Sequence, residues 1–209
     1  NLSNPIIKEM WSIINSEKIS EKVVTDLFEG VETDLEEKVQ INSKKELLLY
    51  SYRVAGTVGL MMSKILKVKN KEALKGAIDL GIAMQLTNIS RDVVEDYKMN
   101  REYIKDDFEN IKSTLKLADM FYESSFSSLK RIPIRYRFAI IVARRVYRQI
   151  GREIIKKKNI ENYKRSGKIY VDNFGKITQT ILSLVDLIKL FFIKIESHQR
   201  SQEHDIIKS

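Results

Sequence analysis

The sequence predicts an all-α protein of long helices, and three observations carry that expectation. Apolar residues recur at helical spacing over long stretches, above all across 71–98, where no proline interrupts them. Only 8 glycines and 2 prolines punctuate 209 residues, too few for the turns of a many-stranded sheet. Few segments alternate apolar and polar side chains as half-buried strands do. A chain of this length can bury one substantial core.

The elements follow in order. Asn4 and Pro5 form a helix start, with asparagine as cap and proline in the first turn, and the helix runs to about residue 14. Ser20 caps a second helix through 28, which Gly30 is expected to end. Ser43 and Glu46 make a capping box that opens a helix over 44–66. Tyr50, Val54, Thr57 and Met61 share one stripe of it. Gly56 and Gly59 inside it cost roughly 1 kcal/mol each, which points to close approach of a neighbouring helix or of a ligand. Asn70 caps the helix 71–98, and a polar loop follows over 100–107. A helix over 113–130 turns Leu115, Ala118, Phe121 and Leu129 inward. Pro133 precedes a helix over 134–157, closed by lysines that suit its C-terminal end. A polar connection spans 163–173, and the last helix covers 176–196. Residues 197–209 read as a frayed polar tail, so that one helical domain spans 1–196.

Composition narrows the chemistry. The chain has no cysteine, which removes disulfides and thiolate metal sites. Both histidines, His198 and His204, fall in the polar tail and are poor candidates for a buried base. The formal charge is +9, but lysine and arginine are spread over every helix and no nucleic-acid motif accompanies them. Nucleic acid is therefore not an expected partner. No secretory signal and no long uncharged apolar run is present. The nearest approach, 177–195, contains Asp186, Lys189 and Lys194 and reads as amphipathic. Its Leu184, Leu187, Ile188, Phe191 and Phe192 either pack into the core or lie on an anionic membrane surface. A cytoplasmic protein, in peripheral contact with a membrane, is the expectation.

The chemistry concentrates at 81–104. With 100° per residue, Asn88, Asp92 and Asp96 fall within roughly 60° of Gln85. Two carboxylates one turn apart repel unless something cationic sits near them. Hard divalent cations take such oxygen ligands, and Mg²⁺ is usually held by one or two carboxylates with water and substrate phosphate. A solvated polar face is the plainer alternative. Against it stands the apolar run 80–89, in which Gln85 and Asn88 are amides that need partners.

Two segments bear a family resemblance. Gln85-Leu-Thr-Asn88-Ile-x-Arg91-Asp92-Val-Val-Glu95-Asp96, with Asn100-Arg101-x-Tyr103 after it, resembles the second aspartate-rich motif of the squalene and phytoene synthases. Tyr50-Ser-Tyr52-Arg53-Val54-Ala55-Gly56-Thr57-Val58-Gly59 resembles that family's other signature. Leu60-Met61-Met62, Gln85-Leu-Thr-Asn88 and Arg144-Arg-Val-Tyr147-Arg-x-Ile-Gly151 look closest to the bacterial phytoene synthases. The resemblance covers about 20–180 and implies an isoprenoid synthase-type helical bundle around a central apolar cavity. It implies a Mg²⁺-dependent prenyltransferase, with Mn²⁺ as an alternative ion, that joins two prenyl diphosphates head to head. In such an enzyme Asp92 and Asp96 are catalytic and, with Asn88, hold metal. Tyr50 is catalytic, its ring stabilising an allylic cation. Gln85, Asn88, Arg91, Arg101, Val54, Val58, Gly59 and Tyr147 bind substrate. The product is phytoene, made from geranylgeranyl diphosphate, or a squalene-type hydrocarbon. A non-catalytic homologue that binds prenyl lipid or a partner is the further alternative.

The sequence departs from the pattern in one respect. Asp92 and Asp96 form its only Asp-x-x-x-Asp, whereas the family uses two such motifs that face each other. The first is expected upstream of Asn1, so that the chain represents the C-terminal portion of a synthase. On its own it is expected to self-associate and to lack turnover.

Overall fold

The computed structural model describes residues 4–194, 198 and 201–208. The all-α expectation holds, and the centre of the fold is α5 (Lys71–Lys98). Asn70 caps it by accepting hydrogen bonds from the backbone N–H of Glu72 and Ala73. Leu80, Ile82, Ala83, Leu86, Ile89 and Val93 of this helix are all buried. They pack against Ile111, Leu115, Ala118, Phe121 and Tyr122 of α6 (Phe108–Phe126) and Ile150 and Ile154 of α7 (Ile134–Ile155). Burial of each such aliphatic side chain stabilises the fold by about 1.5–3 kcal/mol.

Before α5 come α1 (Pro5–Ser16), α2 (Glu21–Thr33), α3 (Lys44–Ser51) and α4 (Thr57–Ile65). The stretch expected as one helix over 44–66 is helical throughout, but Tyr52–Gly56 forms a π-helical turn between α3 and α4. That turn lies where the chain presses on α5. A Cβ on Gly81 would sit 2.3 Å from the carbonyl oxygen of Ala55, and one on Gly59 2.2 Å from that of Ala77. Close helix packing thus accounts for Gly59, the plainer of its two expected roles. Gly30 does not end α2 as expected. It lies within the helix, where a Cβ would meet Cβ of Arg53 at 2.7 Å, so the glycine makes a close contact instead of a stop. Backbone faces backbone at Gly81, and neither side can move cheaply. Gly81→Ala should therefore lower stability by about 2 kcal/mol despite alanine's better helix propensity. A urea midpoint equal to or above that of the unmodified chain would contradict this packing.

α6 begins earlier than its apolar pattern indicates, because Asp107 caps it through the N–H of Asn110 at 2.8 Å. A 3₁₀ turn, Ser127–Arg131, follows it. Leu115, Ala118, Phe121 and Leu129 point inward as expected. The polar connection after α7 contains a short α8 (Ile160–Arg165), capped by Asn159. α9 (Asn173–Phe192) ends short of the expected 196, and residues 195 and 196 lie outside the described residues. The stretch taken as a frayed tail contains α10 (Gln202–Lys208), which packs on α3, with Lys44 paired to Glu203 at 2.6 Å. Residues 197, 199, 200 and 209 of that stretch lie outside the described residues.

One small feature positions the site. β1 (Val39–Gln40) and β2 (Arg101–Glu102) pair in parallel over two residues. The N–H of Val39 donates to the carbonyl of Asn100, and that of Ile41 to Glu102. The loop after α2 is thereby fastened to the loop after α5, although 60 residues of chain separate them.

Candidate active site

The stripe expected on α5 forms, and its two carboxylates stand in different surroundings. Asp92 accepts from Nε of Arg91 at 2.9 Å and from its terminal nitrogen at 2.6 Å, and pairs with Nζ of Lys168 at 3.0 Å. Burial opposes its charge, but the two cations outweigh burial and hold the carboxyl below its ordinary range. Asp96 has no such pair among the described residues. Burial and the neighbouring charge of Asp92 push its carboxyl up to about 6, with Arg101 offsetting part of the effect. Asn88 Oδ1 is buried and has no hydrogen-bond partner among the described residues. Gln85 is half-buried one turn earlier.

This donor set fits a hard divalent cation. It offers an orphaned amide oxygen, which costs free energy while unpaired, and a carboxylate whose ionisation is resisted until positive charge arrives. Asn88, Asp92 and Asp96 are the residues that could hold the ion.

A second cluster includes Arg101. Its guanidinium donates to the backbone carbonyl of Asp34 at 3.0 Å. The Asp34 carboxylate accepts from the Tyr50 hydroxyl at 2.9 Å and from the Tyr103 hydroxyl at 2.6 Å. The two rings stack with centroids 4.8 Å apart and planes 22° from parallel. Burial first, and then the neighbouring groups, push both phenols well above their ordinary range. Both therefore stay protonated and act as donors, each 7% exposed. The β1–β2 pairing is what brings Asp34 and Tyr103 together.

Among the remaining expected residues, Arg91 serves Asp92, and Tyr147 of α7 packs half-buried on the main core. Val54 lies on the π turn, half-buried against the same core. Val58 is exposed on α4, as are Met62 on the same helix and Phe28 and Val31 on α2. A cleft of about 550 Å³ lies between α6 and α7, with Thr87, Tyr122, Arg148 and Gly151 in its lining, and it includes none of the expected site residues.

A profile of squalene/phytoene synthases matches residues 2–109, about half of the sequence. The chain belongs to the squalene/phytoene synthase family. It is 36% identical over 149 residues to the 15-cis-phytoene synthase of a Paracoccus species, covering 63% of this chain and 49% of that protein. With the 15-cis-phytoene synthase of Pantoea ananas it shares 32% over 171 residues, 72% of this chain and 55% of the relative. A solved dehydrosqualene synthase in complex with ligand superposes with a TM-score of 0.69 at 25% identity, over 90% of this chain and 72% of that one. The fold is thus that of the isoprenoid synthases, and the family is one of prenyltransferases. The chain spans about half the length of the curated relatives it matches.

Within this squalene/phytoene synthase fold, three residues missed as site candidates stand out. Asp34 orients both tyrosines, Tyr103 stacks on Tyr50, and Lys168 holds Asp92. No local spacing in the sequence links Asp34 to 50 or 103. The signal available for Lys168 was a lysine beside the aromatic Tyr170 in an otherwise polar connection.

Proposed function

We propose that this chain forms the second-carboxylate side of a Mg²⁺-dependent synthase that joins two molecules of geranylgeranyl diphosphate head to head into phytoene, a step of carotenoid synthesis. The observation that carries this reading is the buried, unpartnered Asn88 Oδ1 on the same helix face as Asp92 and the poorly solvated Asp96. The relatives named 15-cis-phytoene synthase support the product class.

Asn88, Asp92 and Asp96 would hold Mg²⁺, or Mn²⁺ in its place. When bound, the ion neutralises diphosphate and makes it a competent leaving group. Arg91 and Lys168 fix the Asp92 carboxylate, and Lys168, 36% exposed, is free to turn toward a phosphate. Arg101, whose charge already acts on Asp96, would bind the diphosphate. Tyr50 and Tyr103, kept protonated and oriented by Asp34, offer ring faces to a developing allylic cation. Gln85, Val54, Val58 and Tyr147 would bind the substrate, the apolar groups by shielding the prenyl chain and the cation from water.

A squalene-type product is the second reading, favoured by the likeness to a dehydrosqualene synthase. Extraction of hydrocarbon from cells that supply both C15 and C20 diphosphates, and carry the full-length protein, decides between them. A C40 hydrocarbon supports phytoene, a C30 one supports the alternative, and neither product would overturn the enzymatic reading.

The proposed place of work is the cytoplasm, at the membrane surface. No described helix is long and apolar enough to cross a membrane. On α9, Gln179, Ser183 and Asp186 face inward, where Arg145 binds Gln179 and Asp186. Phe174, Ile177, Ile181, Leu184, Ile188, Phe191 and Phe192 are exposed. Such a face suits the interface of an anionic bilayer, which would also receive a hydrocarbon product. Flotation with anionic liposomes should fall at least about threefold when Ile181 and Ile188 are replaced by serine. Equal flotation would rule out α9 as the anchor.

A further inference from the structure

We infer that Asp79, His198 and His204 form a second metal site, chemically distinct from the α5 stripe, that takes an imidazole-seeking dication of the Zn²⁺ class. One ligand atom of each residue lies within 4.8 Å of the other two. Asp79 comes from the core of α5 and is 2% exposed, and His198 is 9% exposed. His198 Nε2 contacts one Asp79 oxygen, and His204 Nε2 lies 3.0 Å from the other. The Ser124 hydroxyl donates to Asp79 as well. A buried carboxylate is paired or bound to metal, and no lysine or arginine pairs with this one among the described residues. Two imidazoles and a carboxylate are a frequent protein ligand set for Zn²⁺, with water as the fourth ligand. Mg²⁺ prefers oxygen alone, so the two sites divide by ligand chemistry.

The outer contacts set the protonation. In the metal-free protein, His204 Nδ1 accepts the Ser201 backbone N–H at 3.0 Å, so Nε2 carries the proton and donates to Asp79. A cation held by Nε2 would require the proton on Nδ1, where the Ser201 hydroxyl 2.9 Å away would accept it in place of the bond from the Ser201 N–H, which would be given up. His198 Nδ1 is buried without a partner among the described residues, so hydrogen bonding alone leaves this cluster incomplete. The ion would tie the C-terminal segment to α5, in the same place where the N–H of His198 meets Glu72 and Glu203 meets Lys44. Its role is a staple that holds α10 on the bundle.

The sequence makes the test sharp, since it holds only two histidines and no cysteine. Addition of one equivalent of Zn²⁺ to the metal-stripped 209-residue chain should raise the melting temperature by about 5 °C. Co²⁺ should give a visible d–d band of tetrahedral intensity. Both effects should vanish in His198→Ala and in His204→Ala, and should persist in Asp96→Asn. Where a variant fails to fold, X-ray absorption at the zinc edge of the unmodified chain replaces it, with two imidazole nitrogens expected. Absence of a shift, a shift that survives both histidine variants, or an oxygen-only coordination shell would each overturn the site and leave a hydrogen-bonded contact.

Discussion

Asp96→Asn should raise the melting temperature of the metal-free protein at pH 7, whereas Asp92→Asn should lower it, and both should lose Mg²⁺-dependent diphosphate binding. The contrast comes from their neighbours. The folded protein raises the Asp96 carboxyl from 3.8 to about 6, so it favours the protonated form. That stabilising contribution is fully present below about pH 4 and is lost as pH rises through 6. Above 6 the ionised group costs the metal-free fold free energy. Two pH units correspond to about 3 kcal/mol as a ceiling, and solvent screening at this half-buried position brings the figure to about 1 kcal/mol. Asparagine removes the cost, which corresponds to a gain of about 3 °C. Asp92 has the opposite sign. Its lowered carboxyl contributes stability above the ordinary range, lost as pH falls through its folded value. Asparagine there leaves Arg91 and Lys168 without their anion and should cost about 1–2 kcal/mol. Diphosphate affinity in the presence of Mg²⁺ should fall at least about 100-fold in either variant, near 2.7 kcal/mol. Thermal melts from pH 4 to 8 check the first contrast, and titration with a prenyl thiodiphosphate checks the second. Equal melting shifts for the two variants would show that their environments do not differ as described.

The second large effect is on turnover. Two prenyl diphosphates carry several negative charges, and these residues contain a single Asp-x-x-x-Asp. Asp92 and Asp96 cannot alone hold enough Mg²⁺ to neutralise both substrates. The 209 residues should bind one diphosphate weakly and form no hydrocarbon. Exposed apolar side chains on α2 and α4, such as Phe28, Val31, Val58 and Met62, should make them self-associate. A segment carrying a second Asp-x-x-x-Asp helix, supplied in cis or as a peptide from a full-length relative, should restore a monodisperse and active protein. Sedimentation and product analysis on both preparations are the check. A monomeric, fully active 209-residue chain would mean that another acidic cluster completes the site.

Much of this was legible in the sequence where local pattern decides. Asn70 capped α5 as its position indicated, and the Gln85–Asp96 stripe followed from helical geometry alone. What escaped depends on contacts between distant parts of the chain. The β1–β2 pairing is two residues long, too short to alternate, yet it carries Asp34 to Tyr50 and Tyr103. Gly30 reads as a helix stop until the π turn is seen packed against it. His198 and His204 lie in a polar stretch with no apolar periodicity, and only the fold places them on Asp79. The difference between Asp92 and Asp96 escaped for the same reason, since Lys168 is remote in sequence.

The most direct test of the central claim is calorimetric titration of geranylgeranyl thiodiphosphate into the unmodified chain with Mg²⁺ and with chelator, beside Asn88→Ala. The account predicts binding that requires Mg²⁺ and weakens about tenfold or more in Asn88→Ala, whose orphaned oxygen would otherwise meet the ion. Binding that is equally strong in chelator, or unchanged when Asn88 is replaced, would contradict a metal site on this face of α5.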